Sequence, residues 1–237
     1  MRLRSKRSEK MEEVLFDRIP GWVYDFFWVS AASAELIRRG RHRTAGWLYC
    51  LTALVFCGFG GSTTANLILG RGVTAMWHSF NLLIIACSFF FTVALPFLSH
   101  PLYSRLVTPL VTMSGATCII GNYARAVDSG VVDALPLIII SSMGGYGSGL
   151  SLAYEDRLFS KRLLRSEYAS NSIKYSLVAA SIYHITGNRL YSALTLVFFQ
   201  TTRAWGYSLD PLAPFDKVFG LLIGPEPKPP KSKRKKT

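Results

Sequence analysis

Seven stretches of predominantly apolar residues alternate with short polar or basic connections along the chain. A membrane-spanning helix needs about 20 such residues. The predicted spans are Ile19–Ile37, Gly46–Gly70, Trp77–Leu98, Leu102–Val127, Val131–Tyr154, Ser172–Thr186 and Leu190–Leu209. The pattern predicts an all-α membrane protein in which a seven-helix transmembrane domain (19–222) follows a basic N-terminal segment (1–18) and precedes a disordered basic tail (223–237).

The second and fifth predicted helices contain clusters of glycine flanked by hydroxyl residues. Each glycine costs a helix about 1 kcal/mol relative to alanine, and interrupted helices at membrane depth commonly line a substrate or ion path. The two helices are the middle members of spans one to three and four to six, which predicts two inverted three-helix repeats plus a seventh helix. The expected pore-lining residues of these glycine-kinked helices are Gly58, Gly60, Gly61, Thr63, Thr64, Gly144, Gly145, Gly147 and Ser148.

Close helix packing is an alternative explanation of the same clusters. Small residues let helix backbones approach each other, and Gly145 and Gly149 have the four-residue spacing of such contacts. The sequence leaves the pore and the packing interpretations open.

Composition and charge support a membrane location. Half of the residues are hydrophobic and 17% are charged, with a formal net charge of +13, whereas soluble domains carry about 25% charged residues. More Lys and Arg residues follow helices one, three, five and seven than lie on the other side. Because basic loops stay in the cytosol, we expect a cytosolic C-terminus and a lumenal N-terminus.

No residue pattern indicates an enzyme. No nucleophile has a base at a recognisable spacing, and the cysteines and histidines lack metal-ligand spacing. We therefore expect no catalytic residues, no metal and no cofactor.

The basic tail has three interpretations. It can be a solvated extension attracted to anionic lipid, a nucleic-acid patch, which seven upstream spans disfavour, or a retrieval address. Lys233 and Lys235 have the spacing of the dilysine signals of endoplasmic-reticulum membrane proteins.

Asp25 is a carboxylate inside the first predicted span. Intramembrane carboxylates commonly belong to functional sites, so Asp25 is a candidate for the ion path. The alternative is a hydrogen-bonded group near the membrane boundary.

Several segments, in their order and spacing, resemble the trimeric intracellular cation channels of endoplasmic and sarcoplasmic reticulum. The resembling segments are Tyr24–Asp25, Gly46–Leu48, Ala65–Gly70, Gly147–Gly149 and Pro214–Asp216, followed by a basic tail. The resemblance implies a homotrimer in which each subunit has its own pore between helices two and five. It further implies a potassium channel of intracellular membranes, whose counter-ion flux supports calcium release.

The fourth helix departs from that family. Its members carry a LysGluVal motif there and bind a phosphoinositide through basic residues, whereas Met113–Ile120 has no charge here. Arg105 and Arg125 flank this stretch and are the candidates for lipid contact. The departure supports a second hypothesis, a non-conducting structural or regulatory membrane protein with the channel fold. A secondary transporter built on the inverted repeat is a third.

Overall fold

The described part of the chain is entirely helical and contains no strand. The structure, a computed structural model, describes residues 11–72, 79–160, 166–207 and 209–213, without the side chains of 148–154, 156–160 and 166–170. Its long helices are α1 (Gly21–Arg38), α2 (Trp47–Ile68), α3 (Ser79–Ala94), α4 (Pro101–Asp128), α5 (Ala134–Ser160), α6 (Ser166–Thr186) and α7 (Arg189–Ala204). The all-α prediction is confirmed.

Each long helix falls on one of the predicted spans, and local residues set several of its ends. Gly40 and Gly46 have φ of 70° and 87° and bracket a short helical turn, Arg41–Thr44, between α1 and α2. These values lie in the left-handed region that favours glycine. The α3 helix ends two residues before Pro96, which opens a 3₁₀ turn, Pro96–Ser99; a proline inside the helix would remove a backbone donor.

One described helix, α2, is long and apolar enough to cross a membrane by length and composition. The α3 helix and the first part of α5, Ala134–Gly147, are apolar but shorter. The seven-span arrangement therefore stays a proposal.

The glycine clusters do not break the helices that contain them. Both α2 and α5 are assigned as continuous helices through their glycines, so the predicted interruption of these helices is wrong. Packing against neighbouring helices compensates for the low helix propensity of glycine.

The helices form one bundle around α5, which packs extensively against α2, α4 and α6. The α7 helix lies against α4 and α6, and α3 lies against α1. The two halves of the chain are joined chiefly through the α2–α5 and α1–α4 pairs.

Polar contacts at the two ends of the bundle show that successive helices alternate in direction. At one end, called the basic end here, Arg39 bonds Glu155 of α5, and Arg105 lies 6.0 Å from the ring centroid of Trp205 after α7. At the opposite end, called the N-terminal end, Arg189 pairs with Asp17. This alternation is the one expected of successive spans.

The predicted N-terminal segment is described in part, and the predicted tail is not described. Residues 11–18 of the predicted N-terminal segment include a π-helical turn, Glu13–Arg18, whose Leu15 and Phe16 pack against the apolar core. The predicted tail, with Lys233 and Lys235, and the Pro214–Asp216 motif lie outside the described residues.

The outer surfaces of α2 and α3 are strongly apolar. The exposed large hydrophobic side chains there are 43–64% exposed, among them Trp47, Phe56, Phe80, Phe90 and Phe91. Contiguous exposed apolar surface of this kind is typical of contact with lipid or with another protein.

Candidate functional site

The two glycine clusters meet where α2 crosses α5. A Cβ added to Gly61 would overlap the carbonyl oxygen of Met143 and lie 3.2 Å from the Cα of Gly147, and one added to Gly147 would overlap the Cα of Gly61. The helices can approach this closely only because neither position has a side chain. Two predicted pore glycines from opposite halves of the chain are thus in backbone contact.

Two further glycines of α5 pack against α4 and α6. A Cβ on Gly144 would lie 2.6 Å from the carbonyl carbon of Cys118, and a Cβ on Gly145 would lie 2.5 Å from Ser176 Oγ and 2.8 Å from Ile119 Cδ1. The contacts at Gly144 and Gly145 therefore support the packing interpretation that the sequence left open.

The remaining predicted pore residues are less closely surrounded. A Cβ on Gly58 would be 3.8 Å from Val29 Cγ2, an ordinary van der Waals contact. Gly60 and Thr63 are half-buried, whereas Thr64 is exposed and donates to the Gly60 carbonyl oxygen at 2.8 Å. The side chain of Ser148 lies outside the described residues.

Beside the glycine contact, α1 and α4 bring a carboxylate and a hydroxyl together. Ser114 Oγ donates to Asp25 Oδ1 at 2.7 Å, and Asp25 is partly buried. Four residues further along α4, the Cys118 side chain lies close to Ser62 of α2. The sequence singled out Asp25 but missed Ser114, Cys118 and Ser62. A signal was available, since Ser114 and Cys118 are four residues apart and so share one helix face.

The basic end contains a buried ionic cluster that the sequence did not reveal. Glu155 of α5 is 5% exposed; its Oε2 accepts from Arg39 Nη1 at 3.0 Å and its Oε1 from Arg41 Nε at 2.6 Å. Glu35 also accepts from Arg39, at 2.8 Å. The cluster ties the connection between α1 and α2 to α5, two turns beyond the glycine contact.

A second ion pair at the basic end joins α6 to the segment after α7. Lys174 Nζ donates to Asp210 Oδ2 at 2.6 Å. This hydrogen bond holds the pKa of Asp210 below its usual value.

The two arginines predicted to contact lipid lie at opposite ends of α4. Arg105 stacks over Trp205 at the basic end. Arg125, toward the N-terminal end, donates to the side-chain oxygen of Asn122. The two are too far apart along the helix to bind one headgroup together.

Comparisons of the chain with models of known protein families, with curated proteins and with solved structures found no match. The resemblance to the trimeric intracellular cation channels therefore stays a prediction from sequence motifs, and function has to be inferred from the geometry of the bundle.

Proposed function

We propose that the protein spans an intracellular membrane seven times and conducts monovalent cations, chiefly potassium. The observation that carries this proposal is the Asp25–Ser114 pair beside the contact between Gly61 and Gly147. A partly buried carboxylate at the junction of two chain halves is suited to attract a cation, because acidic groups favour cations in narrow paths. Ser114 is near the middle of α4, and Gly147 is near the middle of α5, so this junction would lie at membrane depth.

The packing of the bundle supports the inverted-repeat part of the proposal. Helices two and five are the middle members of the two repeats, and their direct contact fits a pseudo-twofold axis between them. The apolar outer surfaces of α2 and α3 would face lipid or, in the homotrimer that the resemblance implies, other subunits.

The finer details of the proposal come from the resemblance and from the charge distribution. They are the reticulum membrane, a cytosolic basic end, counter-ion flux during calcium release and contact with membrane lipid.

Recording from purified protein in planar bilayers under a potassium chloride gradient tests conduction. We expect discrete openings with a cation-selective reversal potential. Asp25→Asn keeps an oxygen for the Ser114 hydroxyl but removes the charge, and we expect it to lower the potassium conductance by about tenfold. Asp17→Asn is the matched control, because Asp17 is exposed and outside the bundle. Equal conductance of Asp25→Asn and the unmodified protein would refute the role of the carboxylate.

A non-conducting membrane protein is the second candidate. It is favoured by the backbone contact at Gly61 and by the burial of Met113, in the uncharged part of α4, within the apolar core. Repeated absence of current from protein that is folded and inserted would support this function and exclude the channel.

A further inference from the structure

One face of α4 has an almost continuous row of polar side chains. Ser114, Cys118, Asn122, Arg125 and Ser129 are spaced by three or four residues, which places them on one side of the helix. The row starts beside Asp25 and runs to the N-terminal end of the bundle.

Polar residues in and just after α2 lie opposite this row. Ser62 lies close to Cys118, and after the end of α2 Arg71 Nε donates to Ser129 Oγ at 2.7 Å. Asn66 lies between these two points, and its side chain is buried. The row on α4 together with Ser62, Asn66 and Arg71 is called the polar seam here.

Three atoms of the polar seam are buried without a hydrogen-bond partner among the described residues. They are Asn66 Oδ1, Asn122 Nδ2 and Arg125 Nε, and the Asn66 and Asn122 residues are 5% and 0% exposed. A buried polar group without a partner costs about 1–3 kcal/mol, so three of them together favour a hydrated seam. Water-filled cavities are where membrane proteins keep such groups.

Arg125 lies in the last turn of α4 and, like Arg71, is hydrogen-bonded to a neutral side chain. Its hydrogen bond goes to the neutral Asn122, and no carboxylate of the described residues lies within ion-pair distance of it. An arginine guanidinium keeps its charge at any physiological pH. A fixed positive charge beside a hydrated path raises the energy of a passing cation.

We propose that the polar seam is hydrated and carries the ion path from Asp25 to the N-terminal end, with Arg125 as the charge barrier that limits cation conductance. This inference rests on the proposed channel function. It assigns the path between α2 and α4, while the glycines between α2 and α5 hold the helices together.

Thiol labelling tests hydration without requiring conduction. The Asn122→Cys variant in liposomes is treated with a charged methanethiosulfonate, and the modified cysteines are identified by mass spectrometry. We expect the cysteine at position 122 to react at least about tenfold faster than Cys57, because a thiol must ionise in water to react. Cys57 is the internal control, since it is buried in the apolar core between α1, α2 and α3. Equal labelling of the two sites would overturn the hydrated seam.

Bilayer recording tests the barrier. We expect Arg125→Gln to raise the potassium conductance by about tenfold, the effect of a unit charge a few ångströms from the path at intermediate dielectric. Arg18→Gln, at an exposed position outside the bundle, should leave the conductance unchanged. An unchanged current in Arg125→Gln would overturn the assignment of the barrier.

The two experiments separate the failure of this inference from the failure of the channel proposal. Labelling at position 122 without current in the unmodified protein and in Arg125→Gln would refute the channel and keep the hydrated seam. Current without labelling at position 122 would keep the channel and refute the seam.

Discussion

Replacing Glu155 by glutamine should destabilise the bundle more than the same replacement at a solvent-exposed glutamate. Glutamine has nearly the volume of glutamate and keeps one acceptor oxygen, but it turns the other oxygen into a donor that faces an arginine. Glu155 is 5% exposed, and its oxygens lie 3.0 Å from Arg39 and 2.6 Å from Arg41. The substitution therefore leaves two guanidinium groups without their buried carboxylate.

The size of the loss in unfolding free energy depends on the partners that Arg39 and Arg41 retain. Breaking a buried ion pair by removing one partner costs about 3–5 kcal/mol. Arg39 retains Glu35 at 2.8 Å, which reduces its share of the loss, and the Arg41 side chain is only 12% exposed. We expect a loss of about 3 kcal/mol, the low end of that range. For a chain of this length, each kcal/mol lowers Tm by about 2–4 °C, which gives a decrease of about 6–12 °C.

Thermal unfolding in detergent, followed by tryptophan fluorescence, measures this decrease. The control is Glu13→Gln, the same chemical change in an exposed pair with Arg18 at 3.0 Å. Exposed pairs contribute less than about 1 kcal/mol, so the control should shift Tm by a few degrees at most. If Glu155→Gln unfolds at the temperature of Glu13→Gln, the buried cluster does not stabilise the fold and the reasoning is refuted.

Two further predictions concern packing and pH. Gly61→Ala should lower the free energy of unfolding by about 1–3 kcal/mol, because the new methyl group overlaps α5. Gly58→Ala should raise it by up to about 1 kcal/mol through better helix propensity. Equal unfolding temperatures of the two variants would contradict the close approach of α2 to α5. Asp210→Asn should lower Tm slightly at neutral pH. The pair with Lys174, which lowers the pKa of Asp210 in the folded protein, stabilises the fold at pH values above the pKa of Asp210 in the unfolded chain. As the pH falls below about 4, the difference between Asp210→Asn and the unmodified protein should begin to decrease, and it should disappear once the pH is below the lowered pKa of Asp210, where the folded protein is protonated as well. A difference that stays constant down to pH 3 would contradict the pair with Lys174.

The apolar runs of the sequence were sufficient to predict the helices, because burial and helix propensity act within one segment. The predicted and observed ends of α1, α2 and α4 agree within two residues. Larger differences occur where local polar residues extend or end a helix. The α6 helix begins at Ser166, six residues before the apolar run, and α7 ends before Gly206, whose φ is 94°.

The contacts of the candidate site could not be predicted, since they join residues far apart in the chain. Glu155 and Arg39 are separated by 116 positions, and Ser114 and Asp25 by 89. Each residue type was visible in the sequence, but no local spacing indicates its partner. The glycine clusters were visible too, yet only the distance between two backbones shows that Gly61 packs against α5.

Neighbouring residues of α2 contact different helices, and this contrast indicates where an ion path can run. Gly61 faces α5 in backbone contact, while Ser62, about 100° further around the helix, lies close to Cys118 in the polar seam. A path that ran through the glycine contact would have to separate α2 from α5, and the loss of packing would have to be compensated during each opening. A path along the seam needs no such separation, because its side chains are polar and face one another across two helices that have few close backbone contacts. Conduction along the seam is thus compatible with a rigid α2–α5 pair, and a channel of this design would remain assembled whether open or closed.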